Sequence, residues 1–294
     1  MGYGSYTATD WGKLKASRKI TDSSTEQVFK AQSCSPKYDP RFIGNREARD
    51  SEDHPYSTPI AIGVDVTGSM GYLSAQIIKE SLNDLMLQLY STDIVSDPQL
   101  MFAAIGDALV DNSPLQVTHF ESDIRIAEQL LDLWLENRGG DLPEDYELMW
   151  YFLAKHTDID CFNKRGKKGF CFTIGDAPCH DELTNASISR IFGDKALTPY
   201  TSEELANMAM QKYEVFHIVI GQHNHNFETI IPGRVILIEK TDVTYLADII
   251  IAVMQYVKGL SRDTILSGKV ELVRSLLTNV LDSLCIENNG EINF

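Results

Sequence analysis

Asp65, Thr67 and Ser69 stand at alternate positions of one short stretch, Asp65-Val66-Thr67-Gly68-Ser69-Met70. One carboxylate and two hydroxyls on a tight turn can all face a single point. They are hard oxygen donors with no thiol or imidazole among them, and they suit a small hard cation such as Mg²⁺, which keeps some waters and leaves a position for an outside ligand. A cation held mainly by neutral hydroxyls keeps much of its charge, so a carboxylate from another molecule can complete its shell. Binding rather than turnover is the natural use of such a site. Asp176 directly follows the apolar run Gly169–Gly175, and Gly139-Gly140-Asp141-Leu142-Pro143-Glu144 offers two more acids, Asp141 and Glu144. Taken singly, each residue has a plain structural explanation. Asp65 can complement a helix dipole, Thr67 and Ser69 can cap a helix, Asp141 can cap ahead of Pro143, and Glu144 can be a first-turn charge.

The elements around these residues give the grouping its weight. Pro59–Val64 is almost wholly apolar, too short for a helix and without alternation, as a strand buried on both faces of a parallel sheet must be. Gly71–Ser91 follows with Leu73, Ile77, Leu82, Leu85 and Leu89 at helical steps. Further strands are expected at Leu100–Gly106, Leu115–Phe120, Gly169–Gly175, Val215–Ile220 and Val235–Ile238, and helices near Ile124–Leu135, Glu144–His156, Glu203–Lys212 and Tyr245–Val257. Strands alternating with helices predict a doubly wound, mostly parallel α/β sheet flanked by helices, with Leu115–Phe120 as an antiparallel edge strand. In such a sheet, ligands bind beyond the carboxyl ends of the strands, where Asp65 and Asp176 fall. Residues 1–58 show no sustained period and read as an extended arm, 59–258 as the main domain, and 259–294 as a tail. In that tail, Arg262–Leu284 forms an amphipathic helix with Val273, Leu277, Val280 and Leu284 on one stripe.

Charge and composition exclude several classes. The 294 residues carry a net charge of −16. Residues 1–58 hold nine basic and eight acidic groups, so the acidity belongs to the rest of the chain. A phosphate backbone is therefore not the expected partner, because such binding runs on Lys and Arg. No apolar run reaches the roughly 18–20 residues of a membrane span, and the N-terminus shows no leader pattern. Five cysteines without CxxC spacing read as reduced structural thiols, and the chain is expected to be cytoplasmic. Other features invite chemistry less strongly. Gly106-Asp107-Ala108 reads as turn chemistry, His223-Asn224-His225 as a solvated loop, and Cys179-His180 as neighbours that point apart.

The stretch Asp65-Val66-Thr67-Gly68-Ser69 resembles the Asp-x-Ser-x-Ser opening of the metal-ion-dependent adhesion site of von Willebrand factor A domains. Gly139-Gly140-Asp141-Leu142-Pro143-Glu144-Asp145 and Asp176-Ala177-Pro178-Cys179-His180 are similar to loops of the von Willebrand A domains attached to alpha-kinases. The resemblance covers roughly residues 59–258. It implies Asp65, Thr67 and Ser69 as first-loop ligands and Asp176 as the third-loop acid acting through water. Where integrin-type members carry Thr in the second loop, this chain offers Asp141 or Glu144, and the added negative charge favours holding metal over holding an acidic ligand. The implied function is non-enzymatic, Mg²⁺-dependent protein binding, with Mn²⁺ or Ca²⁺ as substitutes. The metal would dock an acidic residue of a partner protein. Cytosolic members of the family often work with AAA+ ATPases, which gives one candidate partner. The alternative is a metal-dependent phosphohydrolase of the haloacid dehalogenase type with Asp65 as nucleophile, although Thr67 stands where that chemistry needs a second Asp.

Overall fold

The computed structural model describes residues 4–20, 23–70, 72–77, 81–136, 143–221 and 225–286. Six strands form the central sheet: β1 (Thr58–Asp65), β2 (Pro98–Ile105), β3 (Leu115–Val117), β4 (Gly169–Gly175), β5 (Tyr213–Ile220) and β6 (Val235–Ile238). Their order is β6-β5-β4-β1-β2-β3, parallel throughout except at β3. That strand runs antiparallel on the edge, with Ile105 opposite Leu115 and Ala103 opposite Val117. The fold is a doubly wound α/β sheet with one antiparallel edge strand, as the alternation of elements predicts.

The near-continuous apolar runs are explained by helices on both faces. On β1, Ile60, Ile62 and Val64 point into one core cluster and Ala61 into the other. The first cluster is closed by helices α1 (Ala8–Ser17), α2 (Leu82–Thr92), α4 (Leu246–Val257) and α5 (Glu271–Ser283). The second is closed chiefly by α3 (Tyr146–Lys155), whose residues from Tyr146 to Leu153 are all buried, and by Ser202–Ala209. Because side chains alternate along a strand, Asp65 shares the face of Ala61 and Gly63, the side on which α3 lies. A Cβ on Gly63 would meet Met149 Sδ at 3.0 Å and Ile105 Cδ1 at 2.7 Å, so a glycine is what lets the helix and the neighbouring strand close over β1.

Two local expectations need correction. Residues 1–58 are not uniformly irregular, since α1 is capped by Thr7 and buries Trp11 and Leu14. Two apolar residues three apart are too few to show a period. Within Gly71–Ser91 the structure describes helix at Tyr72–Gln76 and Leu82–Thr92, as expected, and residues 71 and 78–80 lie outside the described residues. Arg262–Leu284 is two helices, Arg262–Leu266 and α5, separated by a turn in which Gly268 takes φ +72°, a conformation that favours glycine. The stripe on α5 lies against the core, with Val273, Leu277, Val280 and Leu284 all buried. Thr201 and Glu204 form a capping box at the start of the helix Ser202–Ala209. Among the described residues, no helix is long and apolar enough to cross a membrane.

Candidate metal centre

The strand order reverses direction between β1 and β4, and the loops leaving those two strands meet there. Asp65, the last residue of β1, is fully buried. Its Oδ1 accepts from the Thr67 backbone N–H at 2.8 Å and from the Thr67 hydroxyl at 2.7 Å. This local turn brings Thr67 Oγ1 to 3.2 Å from Ser69 Oγ. The Ser69 hydroxyl in turn donates to Asp176 Oδ1 at 2.7 Å, across 107 positions of sequence. Four side chains from two loops thus form one continuous chain of oxygens. Asp65, Thr67 and Asp176 are buried, whereas Gly68 and Ser69 are exposed, so the group opens to solvent at Ser69.

Tyr146, the first residue of α3, completes the group from below by donating its hydroxyl to Asp65 Oδ2 at 2.9 Å. This requires Gly175, because a Cβ there would lie 1.8 Å from the Tyr146 oxygen. Glu144, two residues before the helix, is also buried, and its Oε2 has no hydrogen-bond partner. Its loop is held against the third loop: the Glu144 N–H donates to Pro178 O at 2.8 Å, and Glu144 forms a bridge with Cys179.

The electrostatics are those of crowded carboxylates. Burial, then the charge of Asp65, pushes the Glu144 carboxyl up to about 9, although the Thr67 hydroxyl partly opposes this. Burial pushes Asp65 up to about 6 against the hydrogen bonds from Thr67 and Tyr146, and the charge of Asp176 adds to the rise. Acids that resist ionisation together in a water-poor site are stabilised as anions by a divalent cation. The unpaired Glu144 oxygen and the all-oxygen donor set fit such an ion.

Asp65, Thr67, Ser69, Glu144 and Asp176 are therefore brought together, while Asp141 lies outside the described residues. Glu144 is not a first-turn charge, because Asp145 is the N-cap and the helix begins at Tyr146. Cys179 and His180 form no nucleophile–base pair. The Cys179 thiol is buried against Glu147 at 3.3 Å, and burial, then the Glu147 charge, raises it well above the ordinary thiol range. His223 lies outside the described residues, and His225 sits near the ring of Phe227. Tyr146 is absent from the sequence-derived set, since within the run Tyr-Glu-Leu-Met-Trp-Tyr-Phe-Leu it reads only as core.

No protein-family model matches the chain, and no curated protein matches it. Among solved structures it is similar to proximal thread matrix protein 1 from the mussel byssus, at 13% identity over 67% of this chain and 48% of that one, with a TM-score of 0.44. A structure of the same mussel protein with a zinc-occupied MIDAS motif matches with the same figures. The pilus adhesin SpaC from Lactobacillus rhamnosus GG in its open conformation matches at 11% identity over 72% of this chain and 31% of that one, with a TM-score of 0.42. The chain spans about half the length of the mussel protein and about a third of the adhesin. Likeness at this level carries no function from those proteins to this one.

Proposed function

We propose that this chain is a non-enzymatic, metal-dependent protein-binding domain of the von Willebrand factor A type. In this reading Thr67, Ser69, Asp65, Asp176 and Glu144 hold Mg²⁺, and the ion docks an acidic residue of a partner protein. The observation that carries it is the oxygen chain Asp65–Thr67–Ser69–Asp176 at the reversal point of the sheet, exposed only at its Ser69 end. Bound there, the cation would supply a positive point for an incoming carboxylate. Leu109 and Val110, 72% and 41% exposed on the turn after β2, add apolar surface at the same end of the sheet, as a docking face for protein needs. A cytoplasmic setting is part of the proposal, supported by five free thiols. An AAA+ ATPase remains the partner class that the sequence resemblance suggests.

The phosphohydrolase alternative has little to stand on. A nucleophilic Asp65 needs a free oxygen open to substrate, yet Asp65 is fully buried, with Oδ1 engaged by Thr67 and Oδ2 by Tyr146. The test is calorimetric titration of the metal-stripped chain with Mg²⁺ and Mn²⁺, beside Asp65→Ala and a Thr67→Ala, Ser69→Ala double variant. A binding heat present in the wild type and absent from both variants is expected. Equal traces in all three would remove the metal site. Turnover of p-nitrophenyl phosphate that disappears with Asp65 would move the protein to the hydrolase class.

A further inference from the structure

A second group of potential ligands lies beside the first and shares none of its residues. Asp107 on the turn after β2, Asp145 at the start of α3 and His180 in the loop after β4 each present one ligand atom, all within 4.8 Å of one another. Two of the three, Asp107 and His180, each keep a buried atom that no hydrogen bond uses. Asp107 is fully buried; its Oδ1 accepts from the Leu109 N–H at 2.6 Å, but its Oδ2 has no hydrogen-bond partner. His180 Nε2 is likewise buried without a partner. Asp145 occupies the N-cap position of α3 but makes no side-chain capping bond. Its carboxylate reaches instead across to the Ala108 N–H, in the turn that carries Asp107.

The backbone around the group is fixed from several sides. Asp111 Oδ2 accepts from the Asp107 N–H at 2.8 Å, and Arg190 donates to the Ala108 carbonyl. Gly106 is what admits the Asp111 carboxylate, because a Cβ there would lie 2.3 Å from its Oδ2. On the other side, the Ser202 hydroxyl donates to the His180 carbonyl, and Asn226 clamps Cys179 through both its N–H and its C=O at 2.9 and 2.8 Å.

We propose that Asp107, Asp145 and His180 form a second metal site, selective for a borderline ion such as Zn²⁺. Two carboxylates and one imidazole are a donor set that Zn²⁺ takes and that Mg²⁺, which prefers oxygen alone, does not favour. With metal–ligand bonds of roughly 2.0–2.2 Å, tetrahedral ligands sit about 3.3–3.6 Å apart, so the loops close by little more than about 1 Å on binding. The ion would complete the unsatisfied Asp107 and His180 atoms and leave a fourth position to water. It would also tie three loops together. Asp145 adjoins Glu144, and His180 lies four residues beyond Asp176, so the second ion would fix the loops that present the first site.

The test uses the full chain in saturating Mg²⁺, which occupies the first site, titrated with Zn²⁺ and with Co²⁺ as a visible probe. One equivalent of Zn²⁺ is expected to bind. In Asp107→Asn and His180→Gln the affinity should fall by more than the roughly 10–100-fold that loss of a supporting residue causes, whereas Ser69→Ala should retain it. X-ray absorption of the zinc-loaded wild type provides a reading independent of whether the variants fold, with scattering from one imidazole expected. No Zn²⁺ uptake in Mg²⁺, unchanged affinity in both variants, or a shell of oxygen alone would each overturn the proposal. Loss of Mg²⁺ binding in Asp65→Ala with zinc binding intact would separate the two sites.

Discussion

The Tyr146 hydroxyl donates to Asp65 Oδ2 across 2.9 Å and joins the first turn of α3 to the last residue of β1. It gives Asp65 Oδ2 a donor as Thr67 gives one to Oδ1, and so fixes the strand-end carboxylate beside the hydroxyls of Thr67 and Ser69. Tyr146→Phe removes this donor and strands a buried oxygen, at an expected cost of about 1–3 kcal/mol in urea unfolding. Mg²⁺ affinity should fall by roughly 10–100-fold in calorimetric titration, as for other supporting partners of metal ligands. Unchanged affinity would show that Tyr146 serves packing alone.

Gly175→Ala tests the same relationship from the strand. The new methyl would overlap the Tyr146 oxygen, so the ring must move away from Asp65. An overpacked position of this kind costs typically about 1–3 kcal/mol. The variant should lose metal affinity together with stability, although residue 175 offers no ligand. Stability lost with affinity kept would separate the ring position from the site.

The pH response of the metal-free protein follows from Glu144. Its carboxyl is raised from 4.5 to about 9 by burial and then by the charge of Asp65, so the folded chain holds a proton that the unfolded chain releases. That contribution to stability is full below about pH 4.5 and is lost as pH rises through about 9. In chelator, the urea midpoint should therefore drift down on going from neutral to alkaline pH, and Glu144→Gln should flatten the drift. With saturating Mg²⁺ the drift should disappear, because metal binding displaces the proton and leaves the folded and unfolded chains equally deprotonated above about pH 4.5. A midpoint independent of pH in chelated wild type would contradict the crowding of acids at this site.

Asp50 gives the opposite sign. Burial pushes its carboxyl up, but bonds from Arg165 at 2.7 and 3.1 Å, from the Ser57 hydroxyl at 2.7 Å and from Lys164 at 3.2 Å outweigh this and hold it well below the usual range. A depressed carboxylate contributes stability above its unfolded value of 3.8, and that stability is lost as pH falls through the folded one. Asp50→Ala should cost about 1–3 kcal/mol at neutral pH and progressively less in acid. A cost that does not change with pH would mean that geometry rather than charge dominates.

Leu277 on α5 is fully buried in the cluster that also contains Ile249, Ile250 and Val253 of α4. Leu277→Ala should cost about 2–5 kcal/mol, measured by thermal or chemical unfolding. An effect within about 0.5 kcal/mol, typical of surface positions, would mean that the helix detaches in solution and its stripe is free for another surface.

The layer architecture was legible because each strand of a doubly wound sheet is buried on both faces and must be almost wholly apolar, as Pro59–Val64 and Gly169–Gly175 are. The clustering of oxygen-bearing side chains at the ends of those strands was legible for a related reason. Asp65, Thr67 and Ser69 lie within five residues, so their meeting is a local event that one turn decides, and Asp176 follows its strand directly. Helix α1 and the break at Gly268 were not legible. One buries too few apolar residues to show a period, and the other depends on a single positive φ.

What the sequence determined by itself was the strands of the central sheet and the oxygen donors at their carboxyl ends, since both are written in residues close together. The short strands Arg46–Ala48, Thr157–Ile159, Glu182–Leu183 and Tyr200–Thr201 were not legible. The tertiary structure decided what those donors touch. Only the order β6-β5-β4-β1-β2-β3 brings Asp176 to Ser69, and only the parity of β1 turns Asp65 toward α3 and Tyr146. Only the meeting of three loops sets Asp107 beside Asp145 and His180. Contacts of this kind join residues tens of positions apart, and they are fixed by strand register and helix packing, which no local pattern of residue types records.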